Sequence, residues 1–253
     1  MKDSGDTVSP EIEEGIRIKG KTIVVGPSRE EYDEHMRTHV PYRNWCEFCV
    51  KGKAKADHHK RGVAEKSQIE ERGIPVVGID YTFPHSESKE KTKDEEKGMP
   101  IIVMRMNDDK WTAAFVVPQK GVCEYAVKEV SRQIQNSGYR RSIIKSDQEP
   151  ALKELIRAVK RERVEQIEYE GAMEEESPVG ESASNGLVER AIQDVQAQMR
   201  TLKLALEYRY QNRIEESHPI LPWLVKRAAM TINIARQGED GRTAYERRKG
   251  KKI

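Results

Sequence analysis

With 253 residues, of which 36% are hydrophobic and 35% charged, the chain can bury one sizeable core and a second small one. No segment approaches 18 consecutive apolar residues, which excludes a helical membrane span, and three cysteines are too few for a disulfide framework. The net charge of +2 conceals local bias: residues 51–66 carry six Lys/Arg against two acids, residues 242–253 carry six against one, and residues 164–189 hold eight glutamates with no Lys or Arg. Basic segments of this kind suit a polyanionic partner. The cysteine usage and an N-terminal stretch without a signal-type apolar run predict an intracellular protein.

In chain order, residues 1–28 form a polar lead-in, with G-K-T-I-V-V at 20–25 its one strand-like piece. Ser28 and Glu31 stand at N-cap and capping-box positions and predict a helix that Pro41 ends. That helix puts His35 and His39 four residues apart on one face, and Cys46-x-x-Cys49 follows six residues later. Two imidazoles and two thiolates make an N₂S₂ set that zinc takes tetrahedrally, a device that stabilises domains too small to fold alone. A competing redox reading of Trp45-Cys46-Glu47-Phe48-Cys49 needs a preceding strand, and a histidine-bearing helix stands there instead. The zinc domain is thus expected over 29–56, with Cys46 and Cys49 closing it from a turn, and a basic linker over 57–73.

From residue 74 the sequence turns apolar and β-branched. Strands are expected at I-P-V-V-G-I-D-Y-T-F, M-P-I-I-V-M-R-M and W-T-A-A-F-V-V-P, with a charged hairpin loop between the first two. A helix over 121–136, a buried strand R-S-I-I-K-S-D, a helix from Pro150 and a fifth strand at V-E-Q-I-E-Y-E follow. Residues 171–184 read as a loop, and two helices cover roughly 186–210 and 221–235. The order predicts an α/β domain over 74–238, a mixed five-stranded sheet flanked by helices, and then a basic tail over 239–253. Cys123, Trp45, Trp111 and Trp223 are expected in cores.

Three carboxylates sit in distinctive frames: Asp80 in G-I-D-Y-T, Asp147 in I-I-K-S-D-Q-E, and Glu189 on the first turn of the helix opened by S-A-S-N-G-L-V-E-R-A. Strand ends and a helix start can bring such groups to one sheet edge, where carboxylates suit Mg²⁺ or Mn²⁺ and two such ions serve in-line phosphoryl transfer. Taken singly, Asp80 and Asp147 read as turn residues at strand ends and Glu189 as a helix-surface acid; the combination points to a metal site. Lys51, Lys53, Lys55, Lys60 and Arg61 are candidates for phosphate contacts, and Arg190, Gln193, Arg200 and Lys203 on the Glu189 helix for contacts near a DNA end.

Asn185-Gly186-x-x-Glu189-Arg190 resembles the N-G-x-x-E-R segment of integrases from copia-type LTR retrotransposons; Ile79-Asp80 and Ser146-Asp147 resemble the frames of their first two aspartates. The C-terminal R-T-A-Y-E-R-R-K-G-K-K is similar to the T-P-Y-E-x-x-x-G-K-K stretch of many such elements, and the H-H-C-C order is that of the family's zinc domain. The chain departs from the family in a longer interval between its second and third acids and in Asp147-Gln148-Glu149-Pro150, where D-N-G is usual. The resemblance, covering roughly His35 to Lys252, implies an RNase H-like core with Asp80, Asp147 and Glu189 as catalytic ligands of Mg²⁺ or Mn²⁺, and Asn185 beside the DNA. It implies 3′-end processing and strand transfer of retroelement DNA in the nucleus after cytoplasmic assembly, by a homo-oligomer. A domesticated, non-catalytic DNA-binding protein and a hydrolytic nuclease of the same superfamily are the alternative readings.

Overall fold

Strands covered by helices on both faces must be apolar on both, and period-two alternation then sends successive side chains into two different cores. Strand β2 (Ile101–Met106) shows this directly. Ile102, Met104 and Met106 enter one core with residues of α3 (Glu124–Gln135) and α4 (Pro150–Glu165), while Ile101 and Val103 enter the other with α5 (Ser182–Tyr210) and α6 (Leu221–Ala235). The computed structural model describes residues 26–53, 75–84, 98–139, 141–147, 149–165, 171–176, 182–215 and 217–252.

The sheet is mixed and five-stranded, in the order β3 (Thr112–Val116), β2, β1 (Val76–Thr82), β4 (Arg141–Ser146), β5 (Gly171–Glu176). β1, β2 and β3 form an antiparallel meander, and β4 and β5 join parallel beyond β1, connected through α3 and α4. This is the mixed five-stranded α/β architecture, flanked by helices, expected from the sequence. The fifth strand is Gly171–Glu176, inside the stretch expected as a loop, while of the expected V-E-Q-I-E-Y-E strand residues 166–170 lie outside the described residues. Its register with β4, from Arg141↔Gly171 to Ser146↔Glu176, shows sheet pairing prevailing over the poor β propensity of consecutive glutamates. α4 meanwhile continues to Glu165.

Helix α1 (Arg29–Thr38) begins with the Ser28–Glu31 capping box in both its hydrogen bonds, and His39 caps its other end in the left-handed region at φ 54°. Cys49 lies within a second helix, α2 (Glu47–Lys53), rather than in a turn. α2 packs so closely on α5 that a Cβ on Gly52 would stand 2.3 Å from Thr201 Oγ1 and 2.8 Å from its backbone nitrogen. Gln198 Nε2 donates to the Thr38 carbonyl at 2.6 Å, Arg200 Nε to the Gly52 carbonyl at 2.9 Å, and Phe48 meets Tyr208 edge-on. The small helical module is therefore seated on the longest helix of the larger domain.

Residues 239–253, expected as a basic tail, instead supply helix α7 (Ala244–Lys249), with its own Thr243–Glu246 capping box. Arg248 is buried there, its Nε 2.6 Å from Asp109 Oδ2 and its guanidinium 4.2 Å from the Trp111 ring centroid. A planar cation that stacks on an indole and pairs with a carboxylate can leave water where a lysine would not. One expected core residue lies elsewhere, Trp223 being 56% exposed, whereas Cys123 packs partly buried against the α3–α4 core from the N-cap of α3, its Sγ accepting the Ala126 N–H. The 20–25 strand, most of the charged loop and the basic linker fall outside the described residues. No described helix is long and apolar enough to cross a membrane.

Candidate active site and metal centre

Two chemically different clusters stand at the two ends of the contact between α5 and the rest of the molecule. In the smaller module His35, His39, Cys46 and Cys49 are all buried, and one ligand atom from each lies within 4.8 Å of the others. Cys46 Sγ is 3.4 Å from His39 Nδ1, and Cys49 Sγ is 3.4 Å from His35 Nε2. Ordinary Zn–N and Zn–S lengths at a tetrahedral angle give an N···S separation of about 3.5 Å, so the set has the dimensions of a zinc tetrahedron. Burial, with Arg43 and Lys53 nearby, lowers the His35 pKa; burial, the neighbouring His35 and Lys53 push His39 down to about 4. Both rings are thus neutral at pH 7, the state in which imidazole binds metal. Burial likewise pushes the Cys49 thiol up to about 11, an unfavourable environment for thiolate that a bound cation would reverse. The four residues fit zinc by donor type, separation and burial.

The second cluster forms where β1 passes beneath α5. Val77, Ile79 and Tyr81 point into the α3–α4 core, so Gly78, Asp80 and Thr82 face the other side. A Cβ on Gly78 would come within 3.2 Å of Val188, and Gln196 Nε2 donates to Thr82 Oγ1 at 2.7 Å. Asp80 lies between these two contacts, on the strand face that α5 covers, and Glu189 follows Val188 on the helix. β4 runs parallel to β1 with Gly78 opposite Lys145, so two residues further on Asp147 comes beside Asp80.

The electrostatics agree with this placement. Burial first, then the charges of Asp147, Glu149 and Glu189, raise the Asp80 pKa to about 7, against an opposing hydrogen bond from the Tyr81 N–H at 2.7 Å. Like charges gathered around a buried carboxyl leave negative charge that a cation would neutralise, and oxygen donors suit a hard divalent ion. The gathering is looser than at the other cluster. Among the described residues, His35, His39, Cys46 and Cys49 are the one set of three or more such side chains with ligand atoms mutually within 4.8 Å.

The candidate phosphate contacts divide. Lys51 is exposed and pairs with Glu47 at 3.0 Å. Lys53 is half-buried, its Nζ 3.3 Å from the His39 carbonyl, and burial lowers its pKa. Arg190 is exposed and 3.5 Å from Asp194, while Gln193 is exposed one turn beyond Glu189. Arg200, expected at the DNA, bonds instead to the Gly52 carbonyl, and Lys203 lies 3.8 Å from Glu207; both are occupied along the α5 seam. Lys55, Lys60 and Arg61, and the Asn185 side chain, are outside the described residues. A groove of about 1550 Å³ between the small module and the larger domain brings Arg37, Arg43 and Lys53 to the same space as Arg190, Gln193 and Arg236. The sequence pointed to some of these residues but not to their meeting in one groove, since they belong to separate helices and a loop.

No family model and no curated protein sequence matches the chain. Among solved structures it is similar to the catalytic core domain of BIV integrase, at 20% identity and a TM-score of 0.42, covering 68% of this chain and 91% of that one. It is also similar to a chain of the simian T-cell lymphotropic virus intasome in complex with PP2A regulatory subunit B56 gamma, at 14% identity and a TM-score of 0.45, covering 70% of this chain and 56% of that one. At these identities and TM-scores neither a family nor a residue role is carried across, and the chain's chemistry rests on its own residues.

Proposed function

We propose that this chain is an integrase-like polynucleotidyl transferase that processes and joins DNA ends in a divalent-metal-dependent reaction. The observation that carries this reading is the half-buried Asp80 on the α5-covered face of β1, where burial first, and then the charges of Asp147, Glu149 and Glu189, raise its pKa to about 7. Asp80, Asp147 and Glu189 would hold Mg²⁺ or Mn²⁺, which supplies activation of the attacking oxygen and stabilisation of the leaving one when bound. The protein's own contribution is position. Asp80 is fixed by its Tyr81 hydrogen bond, Asp147 accepts the Glu149 N–H at 3.1 Å, and Glu189 is carried on a helix anchored at Gly78 and Thr82. The groove between the two domains, where Arg37, Arg43, Lys53, Arg190 and Arg236 stand against Glu31, Glu34 and Asp194, offers phosphates a path. The His35–His39–Cys46–Cys49 set would hold structural zinc. DNA ends and target DNA are the proposed partners, in a homo-oligomer that acts in the nucleus.

The looser spacing of the carboxylates, together with Glu174–Glu176 placed by β5 alongside the strand that bears Asp147, favours a second reading: a DNA-binding protein that keeps the fold without the chemistry. Strand transfer of a labelled DNA end into plasmid, in Mg²⁺ or Mn²⁺, separates them. Joined product that disappears with Glu189→Gln is expected. Cleaved but unjoined product would mean a nuclease, and salt-sensitive binding with no product would establish the second reading.

A further inference from the structure

Lys120 lies between β3 and α3 and reaches across the end of the sheet to the β4–α4 turn, where its Nζ is 2.8 Å from Glu149 Oε1. Both side chains are mostly covered, at 29% and 26% exposure. The ammonium also lies over two rings at the end of β1, 5.6 Å from the Tyr81 centroid and 5.2 Å from that of Phe83. The adjacent Gly121 N–H donates to the Tyr81 hydroxyl at 3.0 Å, tying the Lys120 loop to β1. Lys120 is thus held by a carboxylate, by two aromatic faces and by its own anchored backbone. Glu149, at the other end of the pair, donates its N–H to Asp147 Oδ1.

Glu149 is therefore a fourth carboxylate at the edge of the Asp80 cluster, and it is the one committed to a cation of the protein itself. We propose that Lys120 is a specificity-determining residue: by holding Glu149 in an ion pair it withholds a fourth carboxylate from the divalent ion, leaving Asp80, Asp147 and Glu189 as the ligand set. This rests on the Asp80 cluster being a divalent-metal site. The physical consequence concerns which ion the site prefers. Mg²⁺ keeps several waters and is satisfied by one or two carboxylates, whereas Ca²⁺ takes six to eight oxygens in flexible geometry and gains from an added carboxylate. A site with Glu149 released would bind divalent ions more tightly and shift toward Ca²⁺.

The test is a double-mutant cycle on the full zinc-loaded chain, reading Mn²⁺ affinity by calorimetry and Ca²⁺ by competition. Lys120→Met is expected to tighten Mn²⁺ binding about tenfold, because it removes a nearby positive charge and frees an acid, and to raise the Ca²⁺/Mg²⁺ preference. Lys120→Met combined with Glu149→Gln is expected to lose that gain and the Ca²⁺ shift. Lys120→Arg, which keeps the ion pair, is expected to bind as the wild type. The same gain with and without Glu149 would overturn the proposal, since charge removal alone would then explain it; no gain would overturn it too. If Lys120→Met fails to fold, Lys120→Gln enters the same cycle. Asp80→Asn separates the two levels: Mn²⁺ binding that survives it at wild-type strength refutes the metal-site reading itself, whereas Mn²⁺ binding lost with Asp80→Asn but indifferent to Lys120 refutes this inference alone.

Discussion

The two candidate metal centres of this chain differ in the way structural and catalytic sites differ. His35, His39, Cys46 and Cys49 are each 5% exposed or less, and their ligand atoms crowd within 4.8 Å. The carboxylates are spread over two strand ends and a helix, from the half-buried Asp80 to the exposed Glu189. A closed tetrahedron leaves no room for a substrate atom and spends its binding energy on folding, while an open oxygen site keeps positions for water and phosphate. One centre makes a domain out of two short helices. The other relies on a sheet that already stands without it.

On that contrast, removing zinc gives the largest effect. Structural zinc contributes about 10–16 kcal/mol in small domains, so chelation or Cys49→Ser should unfold α1 and α2 while the sheet persists. One zinc per chain and loss of protease resistance confined to residues 29–53 are the expected observations. At the carboxylates the effect should fall on rate and not on folding. Glu189→Gln should lower strand transfer about a thousandfold or more, the several kcal/mol a catalytic ion supplies, with the melting temperature little changed.

The pH dependence sharpens the comparison. The Asp80 carboxyl in the folded, metal-free protein titrates near 7, far above its ordinary value of 3.8. Because the folded pKa is raised, the folded state holds this proton more firmly than the unfolded chain, and the associated stability is fully present below about pH 4. It is lost as pH rises toward 7, by on the order of 4 kcal/mol. Denaturant titrations without divalent metal should show that decline, and Asp80→Asn should flatten it. Mn²⁺ binding should release a proton below pH 7.

Smaller changes test the join between the two centres. Gly52→Ala places a methyl against Thr201 where its neighbours include backbone, and overpacking of this kind costs about 1–3 kcal/mol. A lower melting temperature with zinc still bound is expected. Lys51→Ala, which removes only an exposed pair with Glu47, should change stability by about 0.5 kcal/mol or less.

How much of this was legible beforehand follows from the range of each interaction. The Ser28 capping box and the His35, His39, Cys46 and Cys49 group are local patterns, and both appear where spacing put them. Asp80 and Asp147 were readable because apolar strands lead into them, and period two then decides which face they share. β5 was misplaced because parallel pairing is set by a distant strand, so Glu174, Glu175 and Glu176 gave no strand signal of their own. Arg200 and Arg248 looked like polyanion contacts because charge shows in a sequence and its partner does not; one binds the Gly52 carbonyl, the other Asp109 and the Trp111 ring. The Lys120–Glu149 pair was invisible for the same reason, with 28 residues between its members.

The unbroken run of α5 carries one further consequence. Glu189 sits near one end of a rod, and Gln198, Arg200, Thr201 and Tyr208 grip the small module along the rest of it. A helix adds about 1.5 Å and turns about 100° with each residue. One residue inserted between Glu189 and Gln198 would therefore swing the acid away from Asp80 or the grip away from α2, and no local adjustment restores both. This interval is a fixed-length gauge. Variants of this chain that keep both centres should differ in length on either side of it and never within it.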